Sequence, residues 1–483
     1  MAQIVLRRVA ISKGLDVQYI STRGQAPRLD FAQALLSGLA RDGGLYVPQN
    51  YPHVNHGELA AMAGKSFQNV ASDIIGKFTN DSFAPDVLKN MITQAYAGFR
   101  HPAIAPLVQI DSNLFVLELF HGPTLAFKDV AMQLLGRMMD AALKASGQRA
   151  TIVGATSGDT GAAAIEAFAG LEQVDVFILY PHGRVSDVQR RQMTTVDRGN
   201  IHTIALEGTF DDAQAIVKGM FNNHAFRDAL QLSGVNSINW ARIVAQTVYY
   251  FTAASSLGSP HRNVSFAVPT GNFGDILAGY IAKRMGLPIG QLVIGTNAND
   301  ILARTLAGGT YEIKGVQPTT SPSMDIQISS NFERLLFEAY DRDSAAIRAL
   351  MAGLTQSGQF TIAPQQLARI RSDFSAVCID EPATKAEMQR TYREAGYLLD
   401  PHTAVGVGAA RRAMLSDATT PMVVLGTAHP AKFPDAVRAA TGVSPALPEH
   451  LADLFERKEH FTVLPNDLAK IESFIKARSR VSV

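Results

Sequence analysis

The sequence predicts an α/β protein of two parallel-sheet lobes with an additional, mostly helical N-terminal segment. Three observations carry this prediction. A short apolar run, a glycine-rich turn and a helix-like stretch recur as a unit through the middle of the chain, as expected for parallel strands covered on both faces by helices. The chain has 483 residues, more than one ordinary core holds. Hydrophobic residues make up 47% and charged residues 18%, enough apolar material for a large core and too little charge for a disordered chain.

Residues 1–100 are the more helical part and carry no phosphate-loop pattern. Asn113–Phe120 (NLFVLELF) then reads as a strand, HGPT as its turn, and a helix begins near Phe127. Ala150–Ala155 is strand-like, TSGDTG is a turn and AAAIEAFAG is helical. Val174–Tyr180 is a further buried strand. Val264–Val268 leads through PTGNFGD into a helix over ILAGYIAKRMG. Gln291–Gly295 and Met422–Leu425 are apolar runs of strand length. SGVNSINW and SSLGSPHRN bracket a crossing between the lobes. These marks divide the chain into an N-terminal subdomain (1–100), a large α/β domain (101–145 and 260–440), a smaller α/β domain (146–259) and a charged, proline-punctuated helical tail (441–483). No repeat of fixed period and no low-complexity tract interrupts this plan.

Composition excludes several classes. Lys and Arg total 44 against 43 Asp and Glu, a formal charge of +1, which argues against a partner held by phosphate-backbone contacts, so no nucleic acid is expected. Cys378 is the single cysteine, which rules out an internal disulfide framework and a Cys-rich zinc site, and no metal is expected. In MAQIVLRRVAISKG the charges Arg7 and Arg8 follow the apolar stretch, the reverse of a secretory signal. No uninterrupted apolar run approaches the roughly 18 residues that span a bilayer. The expectation is a soluble, cytoplasmic protein, monomer or homodimer, with no membrane partner.

Five turns can carry chemistry, because ligands of open parallel sheets bind where strands give way to helices. In HGPTLAFKD, Lys128 opens a helix after a strand. The helix N-terminus disfavours a cation, and burial would push the amine toward its neutral, nucleophilic form. A solvated surface lysine is the plain alternative. In TSGDTG (Thr156–Gly161) the free N–H groups of a helix start suit a carboxylate or phosphate; an ordinary capped turn reads the same way. Asp159 adds negative charge there, so it should face a hydroxyl or a cation. GNFGD (Gly271, Asn272, Phe273, Gly274, Asp275) lets backbone approach a phosphate closely, yet it is neither a Walker loop nor G-x-G-x-x-G, and a purely structural turn reads equally well. NSINWAR supplies Asn236, Ser237, Asn239 and Arg242, either a phosphate site or a polar helix start. GTAHPAKF offers the Thr427 hydroxyl to a ring, and His429 and Lys432 to an anion or to capping and solvent.

Taken in this order, HGPTLAFKD, TSGDTGAA, NSIN-x-x-R, PTGNFGD and GTAHPAKF resemble the threonine synthase family of fold-type-II pyridoxal-phosphate enzymes. YISTRG, LARDGGLYVP (Leu39–Pro48) and SMDIQISSNFERL (Ser323–Leu335) are similar to its longer bacterial and fungal form, and the likeness runs from about Tyr19 to about residue 440. The resemblance implies that Lys128 holds pyridoxal phosphate through an imine and that the Gly271–Gly274 turn, with Asp275 after it, cradles the cofactor phosphate. It places Thr427 at the pyridine nitrogen and Asp159 near the ring hydroxyl, where the short form has Asn. Thr156, Ser157 and Gly158 would bind the substrate carboxylate; Thr160, Ser237, Asn239 and Arg242 would hold the substrate phosphate. The implied reaction turns O-phospho-L-homoserine and water into L-threonine and phosphate. Two other readings share these motifs: a phospho-lyase releasing an α-keto acid, and a non-catalytic binding protein on the same fold. A nucleotide enzyme does not fit, because no Walker lysine follows the glycine turns.

Overall fold

The computed structural model describes residues 17–79, 82–234 and 236–481; the opening MAQIVLRRVAISKG lies outside them apart from its continuation at Val17. Strand β1 (Tyr19–Ser21) pairs antiparallel with β2 (Tyr46–Pro48). Around this pair stand the helices Phe31–Ser37, His56–Ala60, Phe67–Thr79 and Pro85–Tyr96. In Phe67–Thr79 the residues Val70, Ala71, Ile74, Ile75 and Phe78 fall at helical spacing and are buried, so one face of the helix docks on the core.

The chain then lays down β3 (Leu107–Asp111) and β4 (Leu114–Glu118) and leaves to build β5 (Ala150–Ala155), β6 (Val174–Pro181), β7 (Ile201–Glu207) and β8 (Leu232–Ser233). It returns for β9 (Val264–Pro269) and β10 (Ile289–Thr296), makes a short antiparallel pair from β11 (Thr310–Glu312) and β12 (Gln359–Thr361), and adds β13 (Phe374–Cys378) and β14 (Met422–Gly426). The first sheet has six strands in the order β13-β10-β9-β14-β4-β3, parallel except for the antiparallel edge β3. The second has five parallel strands in the order β15-β7-β6-β5-β8, where β15 is Thr462–Pro465. Every residue of β6, β9 and β14 is buried, which fits their mostly apolar runs, broken by Asp175 in β6 and Ser265 in β9.

Helix Trp240–Ser256 makes the crossing between the sheets, packing on Phe67–Thr79, Lys128–Ser146 and Gly274–Arg284. Helix Lys128–Ser146 also lies against Asp159–Phe168. A Cβ at Gly136 would sit 2.6 Å from the Ala167 carbonyl, so glycine sets that close approach. The tail differs from a purely helical one. It carries β15, which extends the second sheet beside β7, before the helix Leu468–Lys476. Beyond that helix, the Arg480 Nε donates to Asp175 Oδ1 at 2.6 Å, and the Ser479 and Thr151 hydroxyls meet at 2.8 Å. Among the described residues no helix is long and apolar enough to cross a membrane.

Candidate active site

The turns that follow β4, β5, β9 and β14 open onto one cavity of about 990 Å³ between the two sheets. Lys128, Ser157, Asp159, Arg242, Gly271 and Thr427 all line it, so residues far apart in sequence meet at strand ends, where the topology favours a ligand.

Lys128 is the first residue of its helix and is 8% exposed. Its Nζ lies 3.4 Å from Asp159 Oδ2 and 4.9 Å from the centre of the Phe127 ring. Burial pushes the amine below the ordinary lysine value; Asp159 opposes this, while Lys432 and Arg242 add to it. Asp159 opens the helix Asp159–Phe168 and is also buried. Burial works against its ionisation, yet Lys432 and then Lys128 hold its carboxyl well below the usual carboxylate range. Lys432 Nζ stands 2.9 Å from Asp159 Oδ1, and Gln189 Nε2 donates to the same oxygen at 2.9 Å. Asp159 thus faces cations, as its charge demanded.

The GNFGD turn closes the other side. A Cβ at Gly271 would lie 2.8 Å from the Ser323 carbonyl, so only glycine lets the turn nest under the Pro322–Met324 segment. Ser329 Oγ donates to the Gly271 carbonyl at 2.6 Å and Asn331 Nδ2 to the Asn272 carbonyl at 3.0 Å, which fixes the turn at the start of helix Gly274–Arg284, where it lines the cavity. Phe273 takes a left-handed φ of 62° and buries its ring against Phe332 and Phe374, so only its backbone can serve a ligand. The Asp275 carboxyl accepts from the Tyr249 and Tyr250 hydroxyls, and burial raises it to about 7.

Thr427 sits at the end of β14, its carbonyl taking the Phe127 N–H at 2.8 Å and its N–H donating to Thr403 Oγ1 at 3.1 Å. Thr403 Oγ1 donates in turn to Asp400, the cap of helix Pro401–Ala413. Asp400 also binds His402 Nδ1 at 2.9 Å, while His402 Nε2 accepts the Ser323 N–H at 3.2 Å. That pair of bonds fixes the orientation of the His402 ring, which lines the cavity.

The remaining residues divide by hydrogen bonding. Ser157, Thr160, Ser237 and Arg242 line the cavity, and burial lowers the Arg242 guanidinium to about 10. The Thr156 hydroxyl oxygen caps the helix start, accepting from the N–H groups of Gly158 at 3.0 Å and Gly161 at 2.9 Å. Gly158 has φ 140° and packs against the Gln189 amide. Asn239 lies outside the cavity lining. Its Oδ1 caps Trp240–Ser256 at the Ala241 N–H, 3.0 Å away, and its Nδ2 donates to the Leu35 carbonyl at 2.8 Å. His429 likewise turns inward, capping Ala431 at 3.1 Å, with burial lowering its ring to about 4. Sequence reasoning did not reach Gln189, Ser323, Asp400 or His402; the only local signal was Asp400-Pro401, which reads as a helix start.

A buried lysine at a helix start, facing a glycine-lined helix start across a cavity between parallel sheets, defines a pyridoxal-phosphate enzyme of fold type II. The family model for pyridoxal-phosphate dependent enzymes matches residues 99–426. The residues present fit that cofactor: Lys128 supplies an amine, the Gly271 turn a cradle that a Cβ would fill, and Thr427 a hydroxyl at the cavity wall. The models for the threonine synthase N terminus and the threonine synthase C-terminal region match residues 18–96 and 403–475. The chain belongs to the threonine synthase family. It is 53% identical over 460 residues to a threonine synthase of Pseudomonas aeruginosa, covering 95% of this chain and 98% of that one. The crystal structure of a PLP-bound threonine synthase from Brucella melitensis superposes with a TM-score of 0.94 at 62% identity, over 96% of this chain and all of that one (100%). The threonine synthase structure from Escherichia coli gives 0.78 at 34% identity, over 95% and 99% of the two chains.

Proposed function

We propose that this chain is a threonine synthase that uses pyridoxal phosphate to convert O-phospho-L-homoserine and water into L-threonine and phosphate. The observation that carries this is Lys128: an amine buried in the cavity, lowered by burial, with an ionised carboxylate beside it. Bound there, the cofactor supplies an electron sink for the carbons next to the substrate amine.

The chain's own residues do the rest. Lys128 would hold the cofactor covalently in the resting enzyme. Its Nζ, once released, would take the proton from the substrate α carbon, pass it on and, neutral again, take one from the β carbon; protons then return to the γ and α carbons as the product forms. The backbone N–H groups of Gly271, Asn272, Phe273 and Gly274 would bind the cofactor phosphate, with Asp275 behind them. Asp159 would stand near the ring hydroxyl. Thr427 would meet the pyridine nitrogen with a hydroxyl, leaving that nitrogen largely unprotonated. Ser157 and the TSGDT backbone, including Thr156 and Gly158, would take the substrate carboxylate. Arg242, Ser237 and Thr160 would orient the substrate phosphate for departure from the γ carbon, two anionic ends thus fixed at opposite walls. Water adds at the β carbon, with the departed phosphate as its base. Asn239, a cap in this fold, acts on substrate only through the helix that carries Arg242. The substrate is a small molecule; the same reading has a cytoplasmic monomer or homodimer with no nucleic-acid or membrane partner.

The test is to incubate protein and pyridoxal phosphate with O-phospho-L-homoserine and to measure phosphate, L-threonine and 2-oxobutanoate together. Equal phosphate and threonine is the expected result. Phosphate matched by 2-oxobutanoate would make the protein a phospho-lyase and overturn the reading. Borohydride reduction of the holoprotein should label the peptide holding Lys128, and a label on another lysine would remove the central assignment.

A further inference from the structure

We propose that Lys432 is a positioning residue for Lys128: it is the fixed counter-ion of Asp159, closing one carboxylate oxygen so that the other faces the cavity, and it keeps that carboxylate ionised when Lys128 gives up its proton. This rests on reading Lys128 as the reactive amine.

Lys432 ends the short turn Pro430–Lys432 after β14 and is wholly buried (0% exposed). It does not line the cavity. Its Nζ donates to the Thr124 carbonyl at 2.7 Å and meets Asp159 Oδ1 at 2.9 Å, so the ammonium is held from two sides. Gln189 Nε2 fills the rest of Oδ1 at 2.9 Å. Oδ2 is different: its contacts with Lys128 Nζ and Ser323 Oγ are both 3.4 Å. One oxygen is therefore locked by short bonds, and the other is loosely held at the cavity.

The charges explain why two lysines are needed. If Asp159 had Lys128 alone, every neutralisation of Lys128 would strand a carboxylate in a low-dielectric site, and the pair would stay charged. Lys432 removes that linkage. Asp159 keeps a cation whatever Lys128 does, and Lys128 is free to be neutral. The other groups facing Lys128 are Arg242, from helix Trp240–Ser256, and Asp275, from the start of Gly274–Arg284. The further group facing Lys432 is Asp129, whose carboxyl is bound to Thr124 at 2.8 and 2.7 Å. Both are carboxyls, so neither can serve Asp159 as a counter-ion.

The experiment reads the amine directly. The full-length chain, stripped of cofactor, receives short pulses of acetic anhydride across a pH series, and mass spectrometry follows the peptide with Lys128 against the exposed Lys144 as reference. Wild type should show a Lys128 midpoint below that of Lys144. In Lys432→Met, Asp159 has only Lys128 left, so the midpoint should rise by about one pH unit or more, roughly tenfold less neutral amine at a given pH. Adding Asp159→Asn to Lys432→Met should return the midpoint to the wild-type value or below it, a reversal that lost packing would not produce. An unmoved midpoint in folded Lys432→Met overturns the proposal. If that variant does not fold, the double variant decides alone, and a midpoint above wild type overturns it. No cofactor or substrate takes part, so this outcome is separate from any failure of the threonine or borohydride measurements.

Discussion

Replacing Asp275 by Asn should change how the stability of the cofactor-free chain depends on pH. Asp275 lies in the first turn of Gly274–Arg284 and is 7% exposed. Tyr249 and Tyr250 donate to Oδ1, and Oδ2 is buried with no hydrogen-bond partner among the described residues. Burial raises the carboxyl from 3.8 to about 7, against the pull of the two tyrosines and Lys128. The sign follows from proton counting. Between these values the folded chain binds more protons than the unfolded one, so stability is fully present below about pH 4 and falls as pH rises to about 7. A gap of about three pH units at about 1.4 kcal/mol each sets an upper limit of about 4 kcal/mol. Asn has nearly the same shape, keeps an Oδ1 acceptor for the tyrosines and carries no charge. Urea unfolding of both chains from pH 4 to pH 8 should show the variant gaining about 2–4 kcal/mol relative to wild type across that range. A stability difference that stays constant with pH would mean the carboxyl titrates normally in the fold, and the reasoning would fail.

Other substitutions separate roles in the same way. Gly271→Ala puts a Cβ against the Ser323 carbonyl, 2.8 Å away, a backbone atom that cannot rotate aside. Overpacking of about 1–3 kcal/mol should weaken pyridoxal-phosphate retention by about tenfold or more, read by fluorescence titration. Arg334→Met removes the guanidinium that binds the carbonyls of Tyr46 and Ile238 and the Asn331 side chain, and stranding these acceptors, at about 1–3 kcal/mol each, should lower urea stability by several kcal/mol. Asn239→Ala loses a helix cap and strands the Leu35 carbonyl; stability should drop by about 1–3 kcal/mol while the KM for O-phospho-L-homoserine changes less than about threefold. A large KM change with unaltered stability would return Asn239 to direct substrate contact.

The parts of this molecule that depend on neighbours in sequence were legible from sequence. β5, β6, β9 and β14 are mostly apolar runs that end at turns, and their observed limits differ from the expected ones by a residue at most. Lys128 could be singled out because strand, turn and helix start all lie within its own motif. β15 could not. Thr462–Pro465 is four residues long and gains its identity only by pairing with β7, more than two hundred positions earlier. β7 and β13 mix polar and apolar residues, so no simple apolar run marks them. Lys432 sits in a motif whose lysine suits solvent or an anion equally well; burial against Asp159 is a long-range fact. Asn239 shows local competition, because the residue types that bind phosphate also cap helices, and here the cap takes both ends of the amide. His402 was hidden because its second partner is a backbone N–H, which no residue type announces.

The junction between the last residues and the second sheet has a consequence for how the molecule is made. Asp175 on β6 is buried, and the Arg480 side chain and backbone N–H are its donors, while β15 covers the outer edge of β7. A ribosome exposes Asp175 some three hundred residues before it delivers Arg480, so the lobe bearing the TSGDTG turn seals its edge and pairs its carboxylate only once those later residues have emerged. A chain terminated at residue 460 would leave an open strand edge and a buried lone charge together, the combination that favours aggregation and clearance. Synthesis interrupted before Arg480 would therefore leave the lobe bearing the TSGDTG turn open to aggregation and clearance.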